Sequence, residues 1–200
     1  MLTDFDLIAL NCIWGKAQNI VAEIKALCED DEYESWTFER VPLDIRSICF
    51  PAPPRGGLHA PRFAIWQPRN VAFGSVLVPN YEDGMIQMLR YLNRHFQRRY
   101  FQGILAKDHE KTGYCAFTHV SETGAKRVVH VIREARWQFF AEGATLPFED
   151  VTRYERRRIA ERLTPRTVVA YLKSLGWNLE EPDFWKADGD AWLGNGVFRK

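Results

Sequence analysis

The stretch FQGILAKDHEKTGYCAFTHVSETGAKRVVHVIREARWQFFA, residues Phe101–Ala141, decides the fold. Phe101 to Ala106, Tyr114 to Val120, Lys126 to Glu134 and Arg136 to Ala141 each read as strands, rich in β-branched and aromatic residues. Glu122-Thr123-Gly124 is a hairpin turn between two of them, and Gly143 ends the last. Consecutive strands joined by short turns, with no helical period between them, imply an antiparallel meander.

Working outward, the preceding segment turns helical. Met85, Met88, Leu89, Leu92 and Phe96 define one apolar stripe, while Arg90, Asn93, Arg94 and Gln97 face the other way. The methionines read as core filling. Arg62 to Gln67 and Val71 to Val78 read as strands, followed by a turn over Pro79, Asn80, Asp83 and Gly84. Pro51, Pro53, Pro54, Gly56, Gly57 and Pro61 support neither a helix nor a central strand, so about 51–61 is read as a long surface loop. Nearer the start, Asp4 to Trp14 reads as a buried strand, and Trp36 to Ile48 contains another. Between them Ile20, Val21, Ile24, Leu27 and Cys28 recur at helical spacing.

Beyond the meander the last third reads as helical. Asp150 is a candidate cap for a helix carrying Val151, Tyr154 and Ile159 and continuing through an Arg-rich stretch. Thr164 as N-cap, Pro165 at the first helical position and Gly176 after Leu175 delimit the next helix. Trp177, Phe184, Trp185 and Trp192 then fall in an irregular tail that should dock on the body. The expectation is one α+β domain over residues 1–200: an antiparallel β-sheet meander packed against several helices, with a helical C-terminal third.

Bulk properties bound the function. A chain of 200 residues buries roughly 70% of its unfolded surface without a metal or disulfide to hold it. A net charge of +1 gives no support to a nucleic-acid binder. Cys12, Cys28, Cys49 and Cys115 match neither a zinc motif nor a disulfide scaffold. No apolar run approaches the roughly 20 residues of a membrane span, and no secretory signal is read, so a cytoplasmic location without a membrane partner is expected.

No GxGxxG, Walker loop, HExxH or GxSxG occurs, so no catalytic residue, metal or cofactor is assigned. Cys115, Phe117 and His119 share one strand face, and His109, or His130 brought close by the hairpin, could join Cys115 and His119 as a zinc or Cys–His site. A pocket near Asn80, Asp83, His119 and His130 is the corresponding small-enzyme reading. Arg153, Arg156, Arg157, Arg158 and Arg162 form a basic cluster, but interleaved Glu155 and Glu161 favour ion pairs within a helix over phosphate binding. Glu29, Asp30, Asp31, Glu32 and Glu34 form an acidic cluster at the C-terminal end of the first helix, where negative charge opposes the helix dipole. Trp36 beside it is a candidate aromatic anchor, one of seven tryptophans; Trp137, on its strand, is read as buried.

The segment from Pro79 onward resembles small bacterial α+β proteins, several of which are immunity proteins for secreted or contact-delivered toxins. The resemblance rests on Pro79-Asn80-Tyr81-Glu82-Asp83-Gly84 before a helix, on Trp137 to Gly143, and on Leu146-Pro147-Phe148-Glu149. It extends to Tyr154, Arg162, Tyr171-Leu172 and Leu175-Gly176. It implies a rigid scaffold without an active site that neutralises a cognate toxin by direct binding. Against a basic nuclease, Glu29, Asp30, Asp31, Glu32 and Glu34 with Trp36 would form the binding surface.

Overall fold

The computed structural model describes residues 2–29, 34–54 and 59–198, with Glu34 described only in its backbone. The chain opens with β1 (Leu7–Trp14), α1 (Ala17–Cys28), β2 (Glu34–Val41) and the single turn α2 (Arg46–Cys49). Then come β3 (Arg62–Trp66), β4 (Gly74–Pro79) and α3 (Ile86–Phe96). The expected meander follows as β5 (Tyr100–Ala106), β6 (Tyr114–Val120), β7 (Lys126–Arg133) and β8 (Trp137–Glu142), with α4 (His109–Thr112) between β5 and β6. The chain ends with α5 (Pro165–Ser174) and β9 (Ala191–Phe198).

All nine strands form one antiparallel sheet in the order β2-β9-β3-β4-β1-β5-β6-β7-β8. β1 lies mid-sheet between β4 and β5, which explains its apolar run from Leu7 to Leu10: both of its faces are covered. Strands on either side of the Pro/Gly tract belong to this sheet.

One face of the sheet packs against the C-terminal segment. Leu10, Cys12, Trp66, Phe101, Phe117, Val129 and Val131 meet Leu163, Val168, Tyr171, Leu172, Trp177 and Phe184 in a continuous core. The opposite face meets α1 and α3, where Ile13, Phe63, Ile65, Leu77, Tyr100 and Val120 pack against Ile20, Val21, Ile24, Leu89 and Leu92. Below the first face, Glu149 closes a buried network. It receives two hydrogen bonds from the Arg127 guanidinium (Nη2, 2.8 Å; Nε, 2.9 Å), one from the Tyr154 hydroxyl (2.6 Å) and one from the Leu146 amide (2.8 Å). Burial alone would raise its carboxyl; the bonds from Arg127, Tyr154 and Leu146 bring it below the ordinary value instead.

The C-terminal third departs from expectation: it is not predominantly helical. Its one α-helix among the described residues is α5, capped as the sequence indicates, with the Thr164 hydroxyl accepting from the Thr167 amide (3.2 Å). The Asp150 segment forms only two 3-10 turns, Val151–Glu155 and Ile159–Glu161, so the Arg-rich helix is absent. The Asp150 carboxylate accepts from the Thr152 hydroxyl, not from a backbone amide, and Arg156 breaks the path with ψ 140.

The tail is not irregular either. After the 3-10 turn Pro182–Trp185, β9 inserts between β2 and β3. Within β9, Gly194 and Gly196 serve close approach. A Cβ on Gly194 would fall 2.4 Å from the Phe63 ring, and one on Gly196 2.6 Å from Pro61. Trp66, Trp177 and Trp185 are buried as tryptophans generally are, whereas Trp137 is only half-buried, its ring under the Arg133 guanidinium at the sheet margin. No helix among the described residues is long and apolar enough to cross a membrane.

Candidate functional site

Strands β6, β7 and β8 have unlike faces. On β7, Val129 and Val131 are buried against the C-terminal segment, while Val128, His130 and Ile132 between them remain half-exposed. Register places Tyr114 opposite Ile132, Thr118 opposite Val128, and His130 between Ala116 and Phe140. Phe140 is 44% exposed, and its ring stacks on His130 with centroids 5.0 Å apart. Tyr114 continues the row, 6.3 Å from His130. The result is a band of aromatic and aliphatic side chains on the face whose other half lies under α1 and α3.

Helix α3 forms a wall along this band, leaving a groove in two connected parts. The first, about 560 Å³, is lined by Glu82, Asp83, Ile86, Gln102, Ile104 and Tyr114, among others. The second, about 500 Å³, is lined by Arg90, Arg94, Thr118, Lys126, Val128 and Phe140, among others. Ile86 and Thr118 belong to both.

Buried amides hold the wall in place. Gln102 Nε2 donates to Asn11 Oδ1 and to the Asp83 carbonyl (both 3.0 Å), and Asn11 Nδ2 donates to the Gly84 carbonyl (2.9 Å). These bonds fix a turn in which Gly84 (φ 71) and Met85 (φ 55, ψ 47) both adopt left-handed backbone. For Met85 that conformation costs on the order of 1 kcal/mol, offset here by the bonds beneath it and by the Asp83 carboxylate accepting from the Met85 amide (3.0 Å). At the other end of α3, Asn93 donates to the Arg98 and Ser121 carbonyls (3.0 and 2.8 Å), tying the helix to the β6–β7 turn.

The groove is electrically graded. Glu82 and Asp83 stand at the end nearest the N-terminus of α3, whereas exposed Arg90 and Arg94 line its other end. Neither arginine forms a salt bridge among the described residues. Lys126 does, with Glu142 (3.3 Å), across the mouth of the basic end.

The residues singled out from sequence are distributed as follows. Asp30, Asp31 and Glu32 lie outside the described residues, and only the backbone of Glu34 is described, at the start of β2. Glu29 is exposed at the C-cap of α1. Trp36 is half-buried: its ring packs on Phe38 and Phe63 (centroids 6.2 and 5.7 Å), and it lines a shallow hollow with Lys25, Cys28, Glu29 and Ser35.

The four residues of the small-enzyme reading are not brought together. Asn80 is buried, accepting from the Arg62 amide (2.8 Å) and donating to the Ala60 carbonyl (2.9 Å). Asp83 faces the groove, and His130 lies on its sheet floor. His119 is on the opposite face: it shares a side of β6 with Cys115 and Phe117, as alternation requires, while His130 pairs with Ala116. The expected convergence of Cys115, His119 and His130 therefore fails by one residue of register. No metal-holding group of His, Cys, Asp and Glu occurs among the described residues.

Burial lowers His119 to about 4, assisted by the Arg99 charge, and Arg99 Nε donates to His119 Nε2 (3.1 Å). Burial also drives Cys115 well above the ordinary thiol value. Three members of the basic cluster are engaged within the fold: Arg158 pairs with Glu110 and Glu161, Arg156 with Glu161, and Arg162 donates to the Arg156 carbonyl.

The groove itself was only partly visible in the sequence. The outward placement of Arg90 and Arg94 followed from the α3 stripe, but that they overlook a bare sheet did not. Compared with protein-family models, with curated proteins and with solved structures, the chain matches none. What fold and surface define is a mixed α/β class: among the described residues, a nine-stranded antiparallel sheet with five α-helices and a helix-walled, half-covered face.

Proposed function

We propose that this protein acts by binding another protein, and that in the form implied by its resemblance to immunity proteins it neutralises a bacterial toxin. The observation that carries the reading is the uncovered band of Tyr114, Val128, His130, Ile132 and Phe140 on an otherwise well-packed sheet. Apolar and aromatic side chains left in water on a rigid scaffold are the usual anchors of a protein interface. The α3 wall and its anchored turns give the surface a fixed shape, so little ordering would be needed on association. The acidic segment around Glu29 and Asp30 to Glu34 would then steer a basic partner from a distance, outside the contact itself.

Site-specific photo-crosslinking tests this. A benzophenone side chain at position 140, in the full chain expressed in its native cells, should form a covalent adduct with one defined protein. The same probe at Val151, exposed elsewhere, should not. Adding the chain to the captured protein should abolish that protein's activity, with saturation at equimolar amounts. Inhibition far below equimolar ratio would mean turnover and overturn the binding reading.

A further inference from the structure

We infer that the groove beside α3 receives an amphipathic α-helix of the partner, lying antiparallel to α3 with its acidic end at Arg90 and Arg94. This rests on the protein-binding reading above and specifies the segment bound.

The first argument is the unfinished helical layer. On this face α1 packs over β2 to β4, and α3 follows it in contact with α1. Beyond α3, Tyr114, Thr118, Val128, His130 and Ile132 are half-exposed and Phe140 is exposed. The half-exposed positions lie on β6, β7 and β8, two inter-strand spacings or about 10 Å across. A helix with its side chains is about 10–12 Å across, so the bare floor accommodates one helix and not two. The floor suits a helix stripe: Tyr114, Val128, Ile132 and Phe140 offer apolar contact, with Thr118 and His130 between them.

The second argument is charge, and it also fixes direction. A helix favours acidic residues in its first turn and basic residues in its last. The groove offers Arg90 and Arg94 at one end and Glu82 and Asp83 at the other. An incoming helix satisfies both conditions only with its N-terminal turn beside Arg90 and Arg94 and its C-terminal turn beside Glu82 and Asp83. Because Glu82 and Asp83 precede α3 and the arginines lie at its middle and in its last turn, that orientation is antiparallel to α3. Antiparallel neighbours also set the two helix dipoles favourably.

Fluorescence anisotropy with synthetic helices tests the assignment against the full chain. The probes are three amphipathic peptides of identical composition, about 18 residues or five turns long. The first has acidic N-terminal and basic C-terminal turns, the second has those turns exchanged, and the third is the first with the one proline that all carry at the terminus moved to the centre. The first should bind about tenfold more tightly than the second. The double variant R90E/R94E, two exposed positions whose exchange leaves the core intact, makes both ends of the groove acidic and should abolish that preference. Equal affinities for the first two, an order unmoved by R90E/R94E, or no binding of the first would each overturn the inference. Equally tight binding of the proline-broken peptide would show an extended occupant and overturn it too. Self-association of the chain abolished by R90E/R94E, or oligonucleotide binding abolished by it, would assign the groove to a second copy or to nucleic acid instead. If the peptides fail while position 140 still crosslinks to a protein, the binding reading stands and only the helix is lost.

Discussion

Strand β7 offers two environments within one covalent run. Val129 and Val131 pack with Phe117, Tyr171 and Leu172 under the C-terminal segment, whereas Val128, His130 and Ile132 lie half-exposed on the opposite face, Val128 lining the groove. The residue types on the two faces are similar; their company is not. What separates scaffold from candidate surface here is therefore coverage by distant chain segments, with hydrophobicity much the same on either side.

That contrast can be broken by measurement. Phe117→Ala, on the covered face, should cost about 3–5 kcal/mol of unfolding free energy. Phe140→Ala, on the open face, should cost less than about 1 kcal/mol. Urea denaturation of the pair measures this, and equal losses would mean that the open face is part of the folding core.

A comparable loss is expected below the covered face. Glu149→Ala strips the Arg127 guanidinium of its partner where the two side chains are only 0% and 7% exposed. Breaking one side of a buried pair should cost about 3–5 kcal/mol. A loss under about 1 kcal/mol in the same assay would show that water reaches the pair.

Acid should weaken the same face through His119. Its folded-state value lies near 4, below the ordinary 6.5 of the unfolded chain, so the unfolded state binds the extra proton first. The contribution is fully present above the unfolded value and is lost as pH falls from about 6.5 toward 4, by about 2–3 kcal/mol in all. Comparing wild type with His119→Gln at pH 7 and pH 4.5 isolates it; identical pH dependence in the two proteins would contradict it.

The smallest effect concerns α5, the helix that covers β5 and β6. Thr164→Ala removes the hydroxyl that accepts from the Thr167 amide and should cost about 1 kcal/mol. A thermal melt checks it, and no shift would mean that packing alone holds the helix start.

Much of this fold was legible from the sequence because its signals are local. The β5–β8 meander appears as alternation and turns, and the β6–β7 turn closes at Gly124 with φ 82, as Glu122-Thr123-Gly124 indicates. Where local signals misled, a longer-range requirement had taken over. The tail read as irregular becomes a strand in which Gly194 and Gly196 make room for Phe63 and Pro61, paired with β2 across more than half the chain. The Asp150 segment carries helical spacing, but its residues answer to Glu149, Tyr171 and β8, so two short turns replace the helix.

The candidate surface divides the same way. By itself the sequence determined that α3 has an apolar stripe with Arg90 and Arg94 turned from it, that β5 to β8 form a meander, and that Thr164 starts a helix. Each follows from residues within a few positions of one another. Only the tertiary structure decided that β9 lies between β2 and β3, that His119 and His130 occupy opposite faces, and which half of the sheet stays bare. Those outcomes depend on register and on which distant segment reaches which face. A shift of one residue in pairing reverses every side chain of a strand, and no local pattern records which segment will cover it.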